Sequence, residues 1–129
     1  PSFMIILLGT NDGPHKERFE ANLRTILDYL IARGVVPILG TKGDNVEGDH
    51  FINAAIARLA YEYQVPFWNF WLAIQPLPNH GIRADDGYHP TWDENFFDDP
   101  VKMQFAFPWR NLGALQMLDL MMRSVNAQP

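Results

Sequence analysis

Phe3-Met4-Ile5-Ile6-Leu7-Leu8 runs through six apolar residues without alternation and stops at Gly9. An unbroken apolar run of this length reads as a strand buried on both faces of a parallel sheet, where helices cover both sides. It is therefore expected to sit centrally in its sheet. Asp12, Gly13 and Pro14 then form a turn into a helix, with proline near the first helical position, where its missing N–H is not needed. Beyond it Phe19, Leu23, Ile26, Leu27, Leu30 and Ile31 recur at spacings of three and four, while Lys16, Glu17, Arg24 and Asp28 fall elsewhere. This is an amphipathic helix, ended by Gly34.

Working outward, residues 35–39 form a second short apolar strand, followed by a polar loop over 40–48. A second helix is predicted over 49–63, with Phe51, Ile52, Ala55, Ile56, Leu59 and Ala60 on one stripe, and a third strand over 65–70. Strand, helix, strand, helix, strand implies an α/β fold: a three-layer, flavodoxin-like parallel sheet with right-handed crossovers and flanking helices. Residues 76–110 are rich in Pro, Asn, Asp and aromatics and read as one long irregular stretch. Loops this long inside a compact domain are often functional. Leu112, Leu115, Leu118 and Met122 then mark a closing helix over 111–124. No repeat, low-complexity run or linker interrupts the pattern. The 129 residues, 47% hydrophobic, are expected to form one α/β domain.

Charge and composition exclude several partners. The formal net charge is −5 and the basic residues do not cluster, so nucleic acid is not an expected partner. No stretch approaches the roughly 20 apolar residues of a membrane span. The absence of cysteine removes disulfides, thiolate nucleophiles and cysteine metal sites, and leaves the compartment open.

In open α/β sheets, ligands bind at the carboxyl ends of the strands. Gly9-Thr10-Asn11-Asp12 follows the first strand directly, where the Asn11 amide can project over the sheet edge as a donor. Asp86-Gly87-Tyr88-His89 lies in the long loop before the last helix. An aspartate three residues before a histidine can turn back to accept from the imidazole, leaving the other ring nitrogen free as a base. Taken singly, the first motif reads more readily as a turn with a helix cap, and the second as a surface pair. Their joint occurrence, in this order on an α/β pattern, carries the information.

The combination resembles the SGNH hydrolases, also called GDSL esterases and lipases, over most of the chain. In that family one block reads Gly-x-Asn-Asp after the third strand and the last reads Asp-x-x-His before the final helix. The resemblance implies a serine ester hydrolase acting on a carboxylester or carbohydrate ester, without cofactor. By the same resemblance Asn11 would donate to the oxyanion, His89 would act as base and then acid, and Asp86 would orient His89. Gly9, Thr10, Tyr88 and Trp92, flanking these groups, are expected to contact the substrate.

The sequence departs from that family where the nucleophile should be. The family has an earlier Gly-Asp-Ser block and a glycine block that supplies a second oxyanion donor, and neither precedes Gly9. The chain's two serines, Ser2 and Ser124, lie before a buried strand and in the terminal helix, so neither occupies a strand-to-helix elbow. Residues 3–8, if left as a sheet edge, would also form an uncharged, proline-free template for aggregation. The sequence opens at Pro1 rather than Met. Together these features favour a truncated or split chain, lacking its N-terminal strand or strands, whose serine comes from a missing N-terminal segment or a second chain. The alternative is a catalytically inactive binding or structural module.

Other constellations carry less. His50 lies near Asp44 and Asp49, and His80 and His89 near Asp85 and Asp86, but no His-Glu-x-x-His pair occurs and no metal is assigned. No glycine-rich phosphate loop supports a nucleotide. Trp92, Phe96, Phe97, Phe105, Phe107 and Trp109 read either as a lid or acyl-pocket wall, or as a satellite core, whereas Trp68, Phe70 and Trp71 read as core.

Overall fold

A computed structural model describes residues 2–127, so Pro1 lies outside the described residues. The chain forms β1 (Ser2–Leu7), a 3-10 turn over Thr10–His15, α1 (Lys16–Ile31), β2 (Val35–Gly40), α2 (Phe51–Glu62), β3 (Phe67–Trp68), α3 (Phe70–Ile74) and α4 (Ala106–Asn126). The sheet order is β1-β2-β3 and both pairings are parallel. Ser2 lies opposite Val35 and Leu7 opposite Gly40, while Leu39 and Gly40 face Phe67 and Trp68. The fold is thus α/β, with helices on both faces of a parallel sheet.

The strand period of two divides the core between those faces. Ile6 points to one side, against Leu23 and Leu27 of α1 and Ile56 and Leu59 of α2. Ile5 and Leu7 point to the other, where Trp68, Phe70, Ile74 and Ala106 form a second cluster with Trp109 and Met117 of α4. Leu27, Ile38, Ile52, Leu59 and Ile74 are fully buried. Each such side chain stabilises the fold by about 1.5–3 kcal/mol relative to exposure. On the surface Arg24 bonds Glu62 at 2.5 Å and Glu20 at 2.9 Å, tying α1 to α2, though exposed pairs of this kind contribute less than about 1 kcal/mol each.

Apart from shifts of one or two residues at the ends of β1, β2 and α2, four features differ from the sequence reading. Among the described strands β1 is at the edge, not the centre, and Met4 and Leu8 are 45% and 48% exposed. The strand expected over 65–70 contracts to two residues, because the Asn69 side chain accepts from Leu72 N–H at 3.0 Å and starts a helix inside the apolar run. Short 3-10 turns at Pro78–Gly81 and Lys102–Gln104 break the stretch expected to be irregular. Finally, α4 begins at Ala106 instead of residue 111 and extends to Asn126 instead of 124, with Pro108 in its first turn. No helix among the described residues is long and apolar enough to cross a membrane.

Candidate active site at the carboxyl edge of the sheet

All three strands deliver residues to one cleft of about 130 Å³. Leu7 and Thr10 come from the end of β1, Lys42, Gly43 and Asp44 from the end of β2, and Phe70 from beyond β3. Tyr88 and Pro90 of the long loop and Arg110 of α4 close it. This is where an open parallel sheet leaves a crevice, because its helices cover the faces but not the strand ends.

Gly9 makes the turn out of β1. Its φ of 119° lies where side chains are strained, and a Cβ there would come within 2.4 Å of Ile52 Cγ2, so both conformation and packing require glycine. Thr10 then donates its hydroxyl to Asp44 Oδ2 at 2.8 Å. Asn11, next in the 3-10 turn, is exposed, and among the described residues its side chain has no hydrogen-bond partner.

The Asp86–His89 loop is closed at its base. Ile82 and Pro90 form an antiparallel bridge, Arg83 N–H donates to His89 C=O at 2.8 Å, and Gly87 N–H donates to Arg83 C=O at 2.9 Å. Thr91 fastens this loop to α4: its hydroxyl donates to Gly81 C=O at 3.1 Å and accepts from Ala106 N–H at 2.9 Å, and its carbonyl accepts from Phe107 N–H at 2.9 Å. Two of the unpaired first-turn donors of α4 are satisfied this way.

Within the loop, Asp86 Oδ1 accepts from the backbone N–H groups of Tyr88 and His89, at 3.0 and 2.9 Å. Asp86 Oδ2 lies 2.9 Å from His89 Nδ1. The His89 N–H, then that of Tyr88, hold the Asp86 carboxyl well below the usual carboxylate range. An ionised carboxylate can only accept, so Nδ1 carries a proton, and in the neutral imidazole this tautomer leaves the lone pair on Nε2. The His89 side chain is 56% exposed against 19% for Asp86, and among the described residues Nε2 has no partner. Tyr88 packs beside the imidazole, with ring centroids 4.4 Å apart.

The cleft's rear wall is a buried ionic group, of which the sequence names only Asp44, and that beside His50. Lys42 Nζ is bonded to both Asp44 and Glu47, at 2.6 Å for Glu47, and the three side chains are only 1–3% exposed. Asp44 also accepts from Thr10, and Glu47 Oε1 accepts from Ile52 N–H at 3.2 Å at the start of α2. The sequence places Arg110 at the end of the irregular stretch. It lies within α4, half-buried, 3.9 Å from the Phe107 ring centroid. The available signal was position: residues 41–44 follow directly after β2, at a carboxyl end of the sheet.

Thus Thr10 and Tyr88, the chain neighbours of Asn11 and His89, share the cleft. Trp92 is outside its lining and 63% exposed, and Gly9 is buried behind it. The aromatic stretch divides: Phe96 and Phe97 are exposed, whereas Trp109 packs on the second core and donates Nε1–H to Met103 C=O at 2.7 Å. Trp68 and Phe70 are buried, and Trp71 is half-buried against His50. Among the described residues no three His, Asp or Glu side chains gather as a metal site.

The family model of the GDSL-like Lipase/Acylhydrolase family matches residues 1–93, which include both the Gly9–Asp12 and Asp86–His89 segments. Comparison with curated proteins and with solved structures gives no significant match.

Proposed function

The chain belongs to the GDSL-like Lipase/Acylhydrolase family, and from that premise we propose that its complete form is a serine ester hydrolase in which Asp86, His89 and Asn11 do the chemistry. One observation carries this reading. His89 is held through Nδ1 by an ionised Asp86 at 2.9 Å, its Nε2 has no partner among the described residues, and its chain neighbours Tyr88 and Pro90 line a small cleft.

In the proposed reaction Nε2 takes the proton of a serine hydroxyl while its oxygen bonds to the ester carbonyl carbon and the carbonyl pair moves onto oxygen. The Asn11 amide, exposed and unengaged, donates to that oxyanion. Collapse expels the alcohol oxygen, which takes the proton from His89. A water deprotonated by His89 then cleaves the acyl-serine, releasing the acid and restoring the hydroxyl. Asp86 stabilises the imidazolium formed in each half.

Neither serine of the chain is placed for the first step. Ser2 is at the amino end of β1, opposite the cleft, and Ser124 on α4 donates its hydroxyl to Leu120 C=O at 2.8 Å. We therefore assign the nucleophile to a Gly-Asp-Ser segment outside this sequence, joined upstream or carried by a second chain. The test is hydrolysis of a p-nitrophenyl ester. The isolated chain is expected to give no phosphonate-sensitive turnover, and adding the serine-bearing segment is expected to create it. In the complete protein His89→Ala lowers kcat by at least about 10³-fold, while His50→Ala leaves it within about twofold. An inactive complete protein would instead favour a binding module that has lost catalysis.

A further inference from the structure

Arg110 is the cleft's uncommitted charge. It lines the cleft together with Thr10 and Tyr88, and among the described residues no carboxylate pairs with it and no acceptor takes its N–H groups. The Phe107 ring lies 3.9 Å from its guanidinium carbon, a contact that leaves the N–H donors unused. Asp44 and Glu47, the acidic groups behind the cleft, are both engaged by Lys42. Burial alone lowers the Arg110 pKa, whereas the carboxylates beside Arg24 and Arg83 raise theirs. A half-buried guanidinium has lost water without gaining a partner, and an anion in the cleft would supply one.

We propose that Arg110 anchors a carboxylate at the far end of the substrate's acyl chain, so that the cleft selects short esters of dicarboxylic acids over neutral esters of the same length. The volume supports a short acyl group: about 130 Å³ compares with the roughly 150 Å³ that accommodates benzene. The planar fork supports the carboxylate, which it can meet with two parallel N–H···O bonds. That this anion belongs to an ester rests on the hydrolase reading above, whereas the anion site itself does not.

Two measurements separate the claims. First, the 129-residue chain is titrated with monomethyl succinate, with neutral dimethyl succinate and with inorganic phosphate, following the Arg110 side-chain Nε–H by NMR. The monoanion is expected to shift that resonance more strongly than phosphate, and the neutral diester is not expected to shift it. Phosphate binding as tightly as the monoanion would overturn the carboxylate assignment, and Arg110→Gln should abolish the succinate-induced changes at Thr10 and Tyr88. Second, in the complete protein the ratio of kcat/KM for mono-p-nitrophenyl succinate to that for p-nitrophenyl butyrate is compared across variants. Arg110→Gln should lower the ratio about 10- to 100-fold, mainly through KM, as loss of a charge-assisted hydrogen bond predicts. Arg110→Lys should recover part of it, and Lys102→Gln, outside the cleft, none of the loss. No shift with the monoanion, or a ratio unmoved by Arg110→Gln while butyrate is hydrolysed, overturns the proposal and leaves the hydrolase reading intact. A shift at Arg110 with neither ester turned over preserves the anion site and removes the hydrolase reading.

Discussion

Thr10 donates its hydroxyl to Asp44 at 2.8 Å, across 34 positions of sequence, and this bond hangs the turn bearing Asn11 on a buried ionic group. Asp44 and Glu47 share the single cation Lys42, and all three side chains are at most 3% exposed. The arrangement couples the Asn11 turn, the end of β2 and the start of α2.

Removing Lys42 should therefore be far more damaging than removing the threonine hydroxyl. Lys42→Met leaves two buried carboxylates without a counter-charge and is expected to cost about 3–5 kcal/mol. Thr10→Val deletes one hydrogen bond and should cost about 1–2 kcal/mol. Urea midpoints at neutral pH measure both, and equal losses would mean that the triad does not hold this wall together.

Asp86 should make stability depend on acid. Its carboxyl is held below the ordinary value of about 3.9, so the unfolded chain takes up this proton at a higher pH than the folded chain does. The contribution is complete above about pH 5 and is lost as pH falls towards the depressed folded value. Asp85, Asp49 and Glu20 are lowered as well, by Arg83, Lys16 and Arg58 in turn, so the wild type alone does not isolate Asp86. The informative quantity is the stability difference between wild type and Asp86→Asn. It should be larger at pH 6 than at pH 3, and a difference independent of pH would refute the role.

Thr91 should behave as the clasp between the His89 loop and α4. Thr91→Val keeps the shape but leaves Ala106 N–H without its acceptor and Gly81 C=O without this donor, a loss of about 1–2 kcal/mol. Thr91→Ser should recover most of it. The check is a lower denaturant midpoint at unchanged m-value, since no new surface is exposed.

Gly113 sets how closely α4 approaches the sheet. A Cβ at this position would lie 2.6 Å from Trp68 Cζ2, inside the indole ring's contact distance. Helix propensity favours alanine over glycine by about 1 kcal/mol, but overpacking costs about 1–3 kcal/mol. Gly113→Ala is expected to destabilise the wild type and to stabilise a Trp68→Val background, where the ring atoms that would clash are absent. Thermal unfolding of the four proteins measures this, and the same sign in both backgrounds would rule out the contact.

Much of the fold was legible because apolar period is a local property. The run from Phe3 and the three-and-four spacing of Leu23, Leu27 and Leu30 identify a strand and a helix without reference to anything distant. The same signal fails where period is uninformative. Val65 to Ile74 is apolar nearly throughout, and the bond from Leu72 N–H to Asn69, not composition, divides strand from helix. Pro108 and the aromatics around it disguised the first turn of α4, although proline is tolerated there because first-turn N–H groups have no intrahelical acceptor.

The sequence by itself determined the alternation of strands and helices, hence a parallel sheet whose strand ends form a crevice. It also determined the pairing available to Asp86 and His89, which needs only a three-residue turn. Only the tertiary structure decided which charges leave water. Lys42, Asp44 and Glu47 read as a solvated loop until β2 and α2 enclose them, and Arg110 read as a loop residue until α4 carries it into the cleft. Burial is the cause of that division: the cost or worth of a charge depends on which distant segments exclude its water, and that is absent from any local stretch of sequence.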